Sequence, residues 1–318
     1  MMAQYGEATV SRIIDLDPFA LPLDFLFPDA TLGGIVHARD TLAGTHVDWA
    51  NGKILLAVQS HLLRFGGKTI LIDTCVGEHK PRPARPDWHQ RTATRYLANL
   101  AAAGCTPDAV DMVMCTHLHA DHVGWNTRLE SGRWVPTFAN ARYLMSQAEI
   151  DYRAKEAAAR PDADHGSFAD SVLPVIERGL VTAVQAGDAI LDGGHILPLP
   201  GHAPGQIGLE LAAGKDERLV FCGDAIHSPV QVFQPDWSSR FCHDAARAVA
   251  TRRALLARAA DEGVRLIPAH LRAASMHVRE AGSGFLPVIG ESSSPRRRGP
   301  MNTATVVGAL VTPARTMH

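Results

Sequence analysis

The chain has 318 residues, 46% of them hydrophobic and 20% charged, with a formal net charge of −2 at pH 7. That composition describes a globular protein with ample core and excludes the electrostatic footprint of a nucleic-acid or anionic-membrane binder. No apolar run is long enough to span a bilayer, and the start MMAQYGEATVSRIIDLDPFA lacks the basic and apolar regions of a secretory signal. Five cysteines with no CxxC pair argue against a disulfide framework or zinc ribbon and lead us to expect a reducing, cytoplasmic setting.

The N-terminal third reads as strands. Residues 53–65 and 68–73 are β-rich runs separated by Gly66-Gly67, a hairpin signal. Tyr96, Leu97 and Leu100 recur at helical spacing, with Gly104 as the stop. The strand VDMVMC comes next. Ser146 and Glu149 have the spacing of a capping box, which predicts a helix through IDYRAKEAAA. The short apolar runs ILPLPG, IGLEL and RLVFCG then alternate with turns. Residues 244–263 predict a long helix with a solvated, arginine-rich face, and VRLIPAH one more strand. We expect a main domain over 1–290 and a basic, low-complexity, poorly ordered tail over 291–318.

Sixteen histidines are the compositional oddity, and their placement is informative. VDMVMCTH ends at His117, HILPLPGH at His202, RLVFCGD at Asp224 and VRLIPAH at His270. Each apolar run closes on a residue that a borderline metal accepts. Active sites of layered α/β folds gather at strand ends, so these four runs are expected to converge on one sheet edge. His117 and His119 are two apart and share a face on an extended segment, while Asp121 and His122 lie just beyond, where the chain turns. Two metal centres need about six or seven protein ligands. His117, His119, Asp121, His122, His202, Asp224 and His270 supply that number. A structural zinc site would favour a cysteine-rich closed shell, so the pattern points to catalysis.

THLHADH, PGHAPGQ, the GDA at 223–225 and PAH at 268–270 occur in an order that resembles the metallo-β-lactamase superfamily, over roughly residues 35–285. The resemblance implies an α/β fold, an αββα sandwich with a dinuclear site on one edge. By position, one metal takes His117, His119 and His202, the other Asp121, His122 and His270, and Asp224 bridges. It implies two divalent ions, zinc foremost, and hydrolysis of a small ester-type substrate (lactone, aryl ester or organophosphate) by a hydroxide held between them. Asp121 and Asp224 are then candidate proton carriers. Asp73 matches a superfamily aspartate that steadies a ligand histidine, although a turn role fits it as well.

Dizinc β-lactamases carry Cys at the position of Asp224, and flavodiiron proteins carry Glu at that of His119. Hydroxyacylglutathione thioester hydrolases have a histidine where this chain has Gln206. GWNTRLESGRWVPTF and HSPVQVFQPDW look most like the branch of methyl parathion hydrolase and the quorum-quenching lactonases. Acyl-homoserine lactonases have a tyrosine where this chain has His227, and GDxxH is similar to the methyl parathion hydrolase side. His227 is thus a candidate to orient substrate or protonate the leaving group, or else a residue behind the site. The alternatives are an acyl-homoserine lactonase, then a thioester hydrolase, then a mononuclear iron dioxygenase on the same fold. Trp125, Phe138, Phe168 and Phe233 are candidates for an apolar substrate pocket, and Cys115 and Cys222 for small buried hydrophobes. The expected partner is a small ester or lactone, with no nucleic acid or membrane, and the resemblance suggests a homodimer.

Overall fold

The computed structural model describes residues 2–290; the segment 291–318, expected above as a tail, lies outside the described residues. The first sheet takes β1 (Met2–Tyr5), β2 (Ala8–Pro22), β3 (Val47–Asp48), β4 (Lys53–Phe65), β5 (Lys68–Ile72) and β6 (Met112–Met114). A small separate ribbon joins β7 (Thr127–Glu130) to β8 (Arg133–Pro136), after which β9 (Arg142–Ser146) and β10 (Val181–Val184) complete the first sheet. Its order is β1-β2-β4-β5-β6-β9-β10, with β3 paired to β4. The second sheet runs in chain order through β11 (Ala189–Leu191), β12 (Gly194–Pro198), β13 (Ile207–Ala212), β14 (Arg218–Gly223), β15 (Arg265–Pro268), β16 (Met276–Ala281) and β17 (Gly284–Ile289).

Side-chain alternation builds the layers. On β5, Ile70 and Ile72 point between the sheets, where they meet Leu209, Leu211, Leu219 and Phe221 of the second sheet. Leu71 points the other way, onto Tyr96 and Leu100 of the helix Tyr96–Ala102. On β14, Leu219 and Phe221 face the inner core, while Val220 and Cys222 face Leu255, Leu256 and Ala259 of the helix Ala245–Glu262. Period-2 strands buried on both faces thus give helix, sheet, sheet and helix in layers, an αββα sandwich. Each such aliphatic side chain removed from water stabilises the fold by roughly 1.5–3 kcal/mol. The β4–β5 hairpin is as its glycines predict: Phe65 pairs with Lys68, and Gly66 and Gly67 take φ of 57° and 73°.

Two local expectations are corrected. The helix Gln147–Ala159 starts after Ser146, but no side-chain cap forms, because Glu149 is drawn to more distant partners. The helix Ala245–Glu262 ends at the expected glycine, a left-handed Gly263, and is capped by Asp244, whose side chain accepts from Arg247 N, yet its arginine face is not wholly solvated. Arg252 is fully buried, donating from Nε to Ala225 O at 3.0 Å and from Nη1 to Pro235 O at 2.6 Å. Those bonds anchor the segment after β14. All five cysteines are free, and burial pushes the Cys115 and Cys222 thiols up. Among the described residues, no helix is long and apolar enough to cross a membrane.

Buried histidines make the fold acid-sensitive. Burial, then repulsion from Arg272 and Arg12, lowers His46 to about 4; burial and Arg12 lower His61 to about 3. Both stay neutral in the fold while the unfolded chain takes up protons below about 6.5. Their stabilisation is therefore full above pH 6.5 and falls as pH drops toward 4, by about 1.4 kcal/mol per pH unit for each histidine. Thermal melts of metal-free protein should show this loss, and His46→Leu should make the slope of melting temperature against pH shallower over that window.

Candidate metal centre

β6 and β14 are central strands of opposite sheets, and both stop at the same edge. Gly223 lets them meet: its φ is +49°, and a Cβ there would stand 2.8 Å from Thr116 Oγ1. Thr116 precedes His117 and Gly223 precedes Asp224, so this close approach sets the two ligand-type side chains side by side. The helical turn Ala120–Val123 adds Asp121 and His122, the loop after β12 adds His202, and the loop after β15 adds His270.

These seven side chains fall into two sets of atoms. His117 Nε2 lies 2.9 Å from His119 Nδ1, and His202 Nε2 lies 3.0 Å from the same nitrogen. A ring nitrogen carries one proton or one lone pair in its plane, so His119 Nδ1 can satisfy only one of those neighbours by hydrogen bonding. Three lone pairs aimed at a common point is the arrangement a cation requires. In the second set, His122 Nε2 and His270 Nε2 lie 3.7 Å from the two oxygens of Asp121. Asp224 stands between the sets. Its Oδ1 is 3.5 Å from His122 Nε2 and 3.2 Å from His270 Nε2, and its Oδ2 is 3.4 Å from His202 Nε2. Donors about 2.0–2.1 Å from a tetrahedral zinc are separated by roughly 3.3 Å, the spacing seen here. His122 Nε2 and Asp224 Oδ1 are buried without a well-directed hydrogen-bond partner, which would be costly unless a cation filled the gap.

The outer nitrogens are held in place. His122 Nδ1 lies 2.9 Å from Asp73 Oδ2, and Asp73 also accepts from Thr116 N and Oγ1 at 2.7 and 2.9 Å. His270 Nδ1 donates to Ala57 O at 2.8 Å, and His202 Nδ1 meets Cys242 Sγ at 3.6 Å. Such contacts fix the tautomer and aim the inner nitrogen. Burial drives His117, His119 and His202 well below the ordinary histidine range, which keeps their lone pairs free. Burial also opposes charge on His122, but Asp224, Asp73 and Asp121 outweigh it and raise its pKa well above that range. Asp224 is held far below the carboxylate range, burial being outweighed by His270, His227 and His122.

A match to the metallo-beta-lactamase superfamily covers residues 54–270. The chain belongs to the metallo-beta-lactamase superfamily. Solved structures of that fold cover it almost end to end. The hydrolase AbOPH of the beta lactamase superfamily is 23% identical, with a TM-score of 0.75 over 92% of this chain and 98% of its own. AidC, a dizinc quorum-quenching lactonase solved with a product, is 19% identical, with a TM-score of 0.71 over 93% and 98%. A probable metal-dependent hydrolase from Staphylococcus aureus is 14% identical, with a TM-score of 0.70 over 92% and 100%. At these identities the likeness is one of fold.

Within this metallo-beta-lactamase frame the remaining candidate, His227, sits beside the cluster. Its Nε2 is 3.2 Å from Asp224 Oδ2, but off the hydrogen-bond direction, and neither ring nitrogen has a hydrogen-bond partner among the described residues. Phe27 stands edge-on to the ring at 6.2 Å, and the Gln231 side chain accepts from the His227 backbone N–H at 2.8 Å. The cluster opens into a pocket with a cavity volume of about 130 Å³. Its apolar walls are Phe19, Leu21, Leu26, Leu56, Trp88 and Phe241. The four aromatics expected there pack elsewhere. Trp125 and Phe138 are buried in the core beneath the first sheet, Trp125 stacking on Tyr96, and Phe168 and Phe233 lie against that core.

Sequence reasoning also missed two residues that hold the ligand loops. Glu149 accepts from Gly205 N at 3.0 Å and Leu118 N at 3.5 Å, joining the loop of His202 to that of His117 and His119. Gln59 donates to Ala269 O at 3.1 Å and Leu271 O at 2.8 Å, gripping the chain on both sides of His270. A buried carboxylate and amide on neighbouring elements were the only signal. Glu149→Ala leaves those backbone groups unsatisfied, so we expect a loss of about 1–3 kcal/mol in stability. We also expect metal affinity to fall by about 10–100-fold, read by denaturant titration and competition with a chromogenic chelator.

Proposed function

We propose that the protein is a dinuclear metal-dependent hydrolase of small ester-type substrates. The observation that carries this reading is the position of Asp224, whose two oxygens face different sets of three donors. His117, His119 and His202 would hold one divalent ion and Asp121, His122 and His270 the other, with Asp224 shared. Zinc suits this imidazole and carboxylate set. Bound metal ions bring the pKa of water near neutrality and polarise the oxygen of a scissile carbonyl or phosphoryl group.

The chain's own groups do the rest. The apolar wall holds the organic part of the substrate and excludes water around the bond to be broken. Asp121, the more accessible of the two carboxylates, takes up the proton released as the tetrahedral species collapses. His227 has both ring nitrogens unspent and donates to the departing oxygen.

The acyl-homoserine lactonase reading keeps second place on one observation. Phe19, Leu21, Leu26 and Leu56 form a wall suited to an acyl chain, and structures of the same fold hold N-hexanoyl-L-homoserine. The complete second donor set speaks against a mononuclear dioxygenase. A panel of lactones, aryl esters and phosphotriesters assayed on metal-loaded protein tests the proposal. Turnover of at least one class, abolished by chelation, is expected; inertness toward all three would rule it out.

A further inference from the structure

The outer part of the pocket carries a cationic group, Arg85, without a counter-charge among the described residues. Arg85 lines the pocket, its guanidinium carbon 5.5 Å from the Phe25 ring, 5.3 Å from Trp88 and 5.5 Å from Phe241. Arg240 shares the Phe25 ring with Arg85, its guanidinium carbon 4.1 Å from the ring centroid, at an exposed position beside the pocket. Cation–π contact fixes a guanidinium against ring faces but uses none of its N–H donors. Among the described residues, neither arginine has an ion-pair partner or a side-chain hydrogen bond. Asp24 and Asp87, adjacent in sequence to Phe25 and Trp88, are exposed and pair with neither. Outside the metal cluster the one acid in the pocket wall among the described residues is Asp164, which accepts from Ser167 Oγ at 2.7 Å and forms no ion pair with Arg85; burial pushes its carboxyl up to about 7.

The loop that presents Arg85 is anchored rather than loose. Arg85 N donates to Arg82 O at 2.8 Å. The Arg82 side chain is fully buried and binds Asp170 through two bonds of 2.6 and 2.8 Å. It also donates to His165 O at 2.9 Å, which ties the Asp164–His165 turn to the same point. A pre-placed guanidinium with unspent donors, at the partly exposed rim of a pocket with a polar floor and apolar walls, is a receptor for an anion.

We propose that Arg85, seconded by Arg240, binds a carboxylate carried by the substrate away from the bond that is cleaved. The inference rests on the hydrolase reading and narrows its substrate class to esters or lactones with an apolar or aromatic body and a remote carboxylate. The test uses 4-acetoxybenzoate and the longer 4-acetoxycinnamate, each against its neutral methyl ester, with metal-loaded protein. In at least one pair, KM for the acid should be lower by about ten-fold, the worth of one charge-assisted bidentate contact. Arg85→Gln should bring the acid-to-ester ratio close to one, and Arg85→Lys should keep part of it. Arg240→Gln, at an exposed position, should move the ratio the same way by less, and serves if Arg85→Gln does not fold. A ratio near one for both pairs in the wild type, or a ratio unchanged in the arginine variants, overturns the proposal. If none of the four compounds is hydrolysed, the hydrolase reading is what fails for them. Calorimetry with the same compounds then decides: tighter binding of the acids that is lost in Arg85→Gln sustains the anion site, and equal binding overturns it.

Discussion

Asp224→Ala is expected to lower kcat/KM by about 10³-fold or more, equivalent to roughly 4 kcal/mol of transition-state stabilisation. The reason is geometric. Asp224 Oδ1 faces His122 and His270, and Oδ2 faces His202, so a single substitution removes a donor from both proposed metal positions. Both ions should therefore be held less tightly, and metal analysis after gel filtration should show less than the wild-type content. Asp121→Ala touches one set only and should cost one ion selectively. Full metal content with full activity in Asp224→Ala would exclude a bridging role.

His227→Ala should separate chemistry from metal binding. If His227 protonates the departing oxygen, its loss costs about 10²–10⁴-fold in kcat while metal content stays at the wild-type value. The cost should shrink for esters whose leaving group is already acidic, such as 4-nitrophenyl esters, because such an oxygen departs without a proton. His227→Tyr supplies another donor at the same position and should recover part of the loss on poor leaving groups. An equal loss on good and poor leaving groups would assign the His227 ring to packing between Phe27 and Asp224 rather than to proton transfer.

The sandwich and the cluster were legible for a physical reason. Alternation along β5 and β14 is local, and the ligand-type residues sit where those runs end, so fold and convergence could be read from short windows. What could not be read depends on chain segments meeting in space. Phe19 and Leu21 of β2, Trp88 of an irregular loop and Phe241 form the pocket wall, and nothing periodic connects them. Trp125 and Phe138, candidates for that wall as aromatics, pack into the core instead. Arg252 misled because an arginine on a polar helix is usually solvated; here carbonyls of the loop after Asp224 cap its guanidinium. Glu149 has the spacing of a capping-box residue, yet the orphan N–H groups of Leu118 and Gly205 hold it instead.

The proposed hydrolase stands on two catalytic metal ions held within one cluster of histidines and aspartates. The most direct measurement is a titration of chelator-stripped protein with zinc, following bound metal by mass spectrometry and hydrolysis of a competent ester in the same samples. Negligible turnover is expected without metal, with activity rising to a plateau at two ions per chain. A plateau reached at one ion, or hydrolysis that persists in the stripped protein, would contradict the proposal.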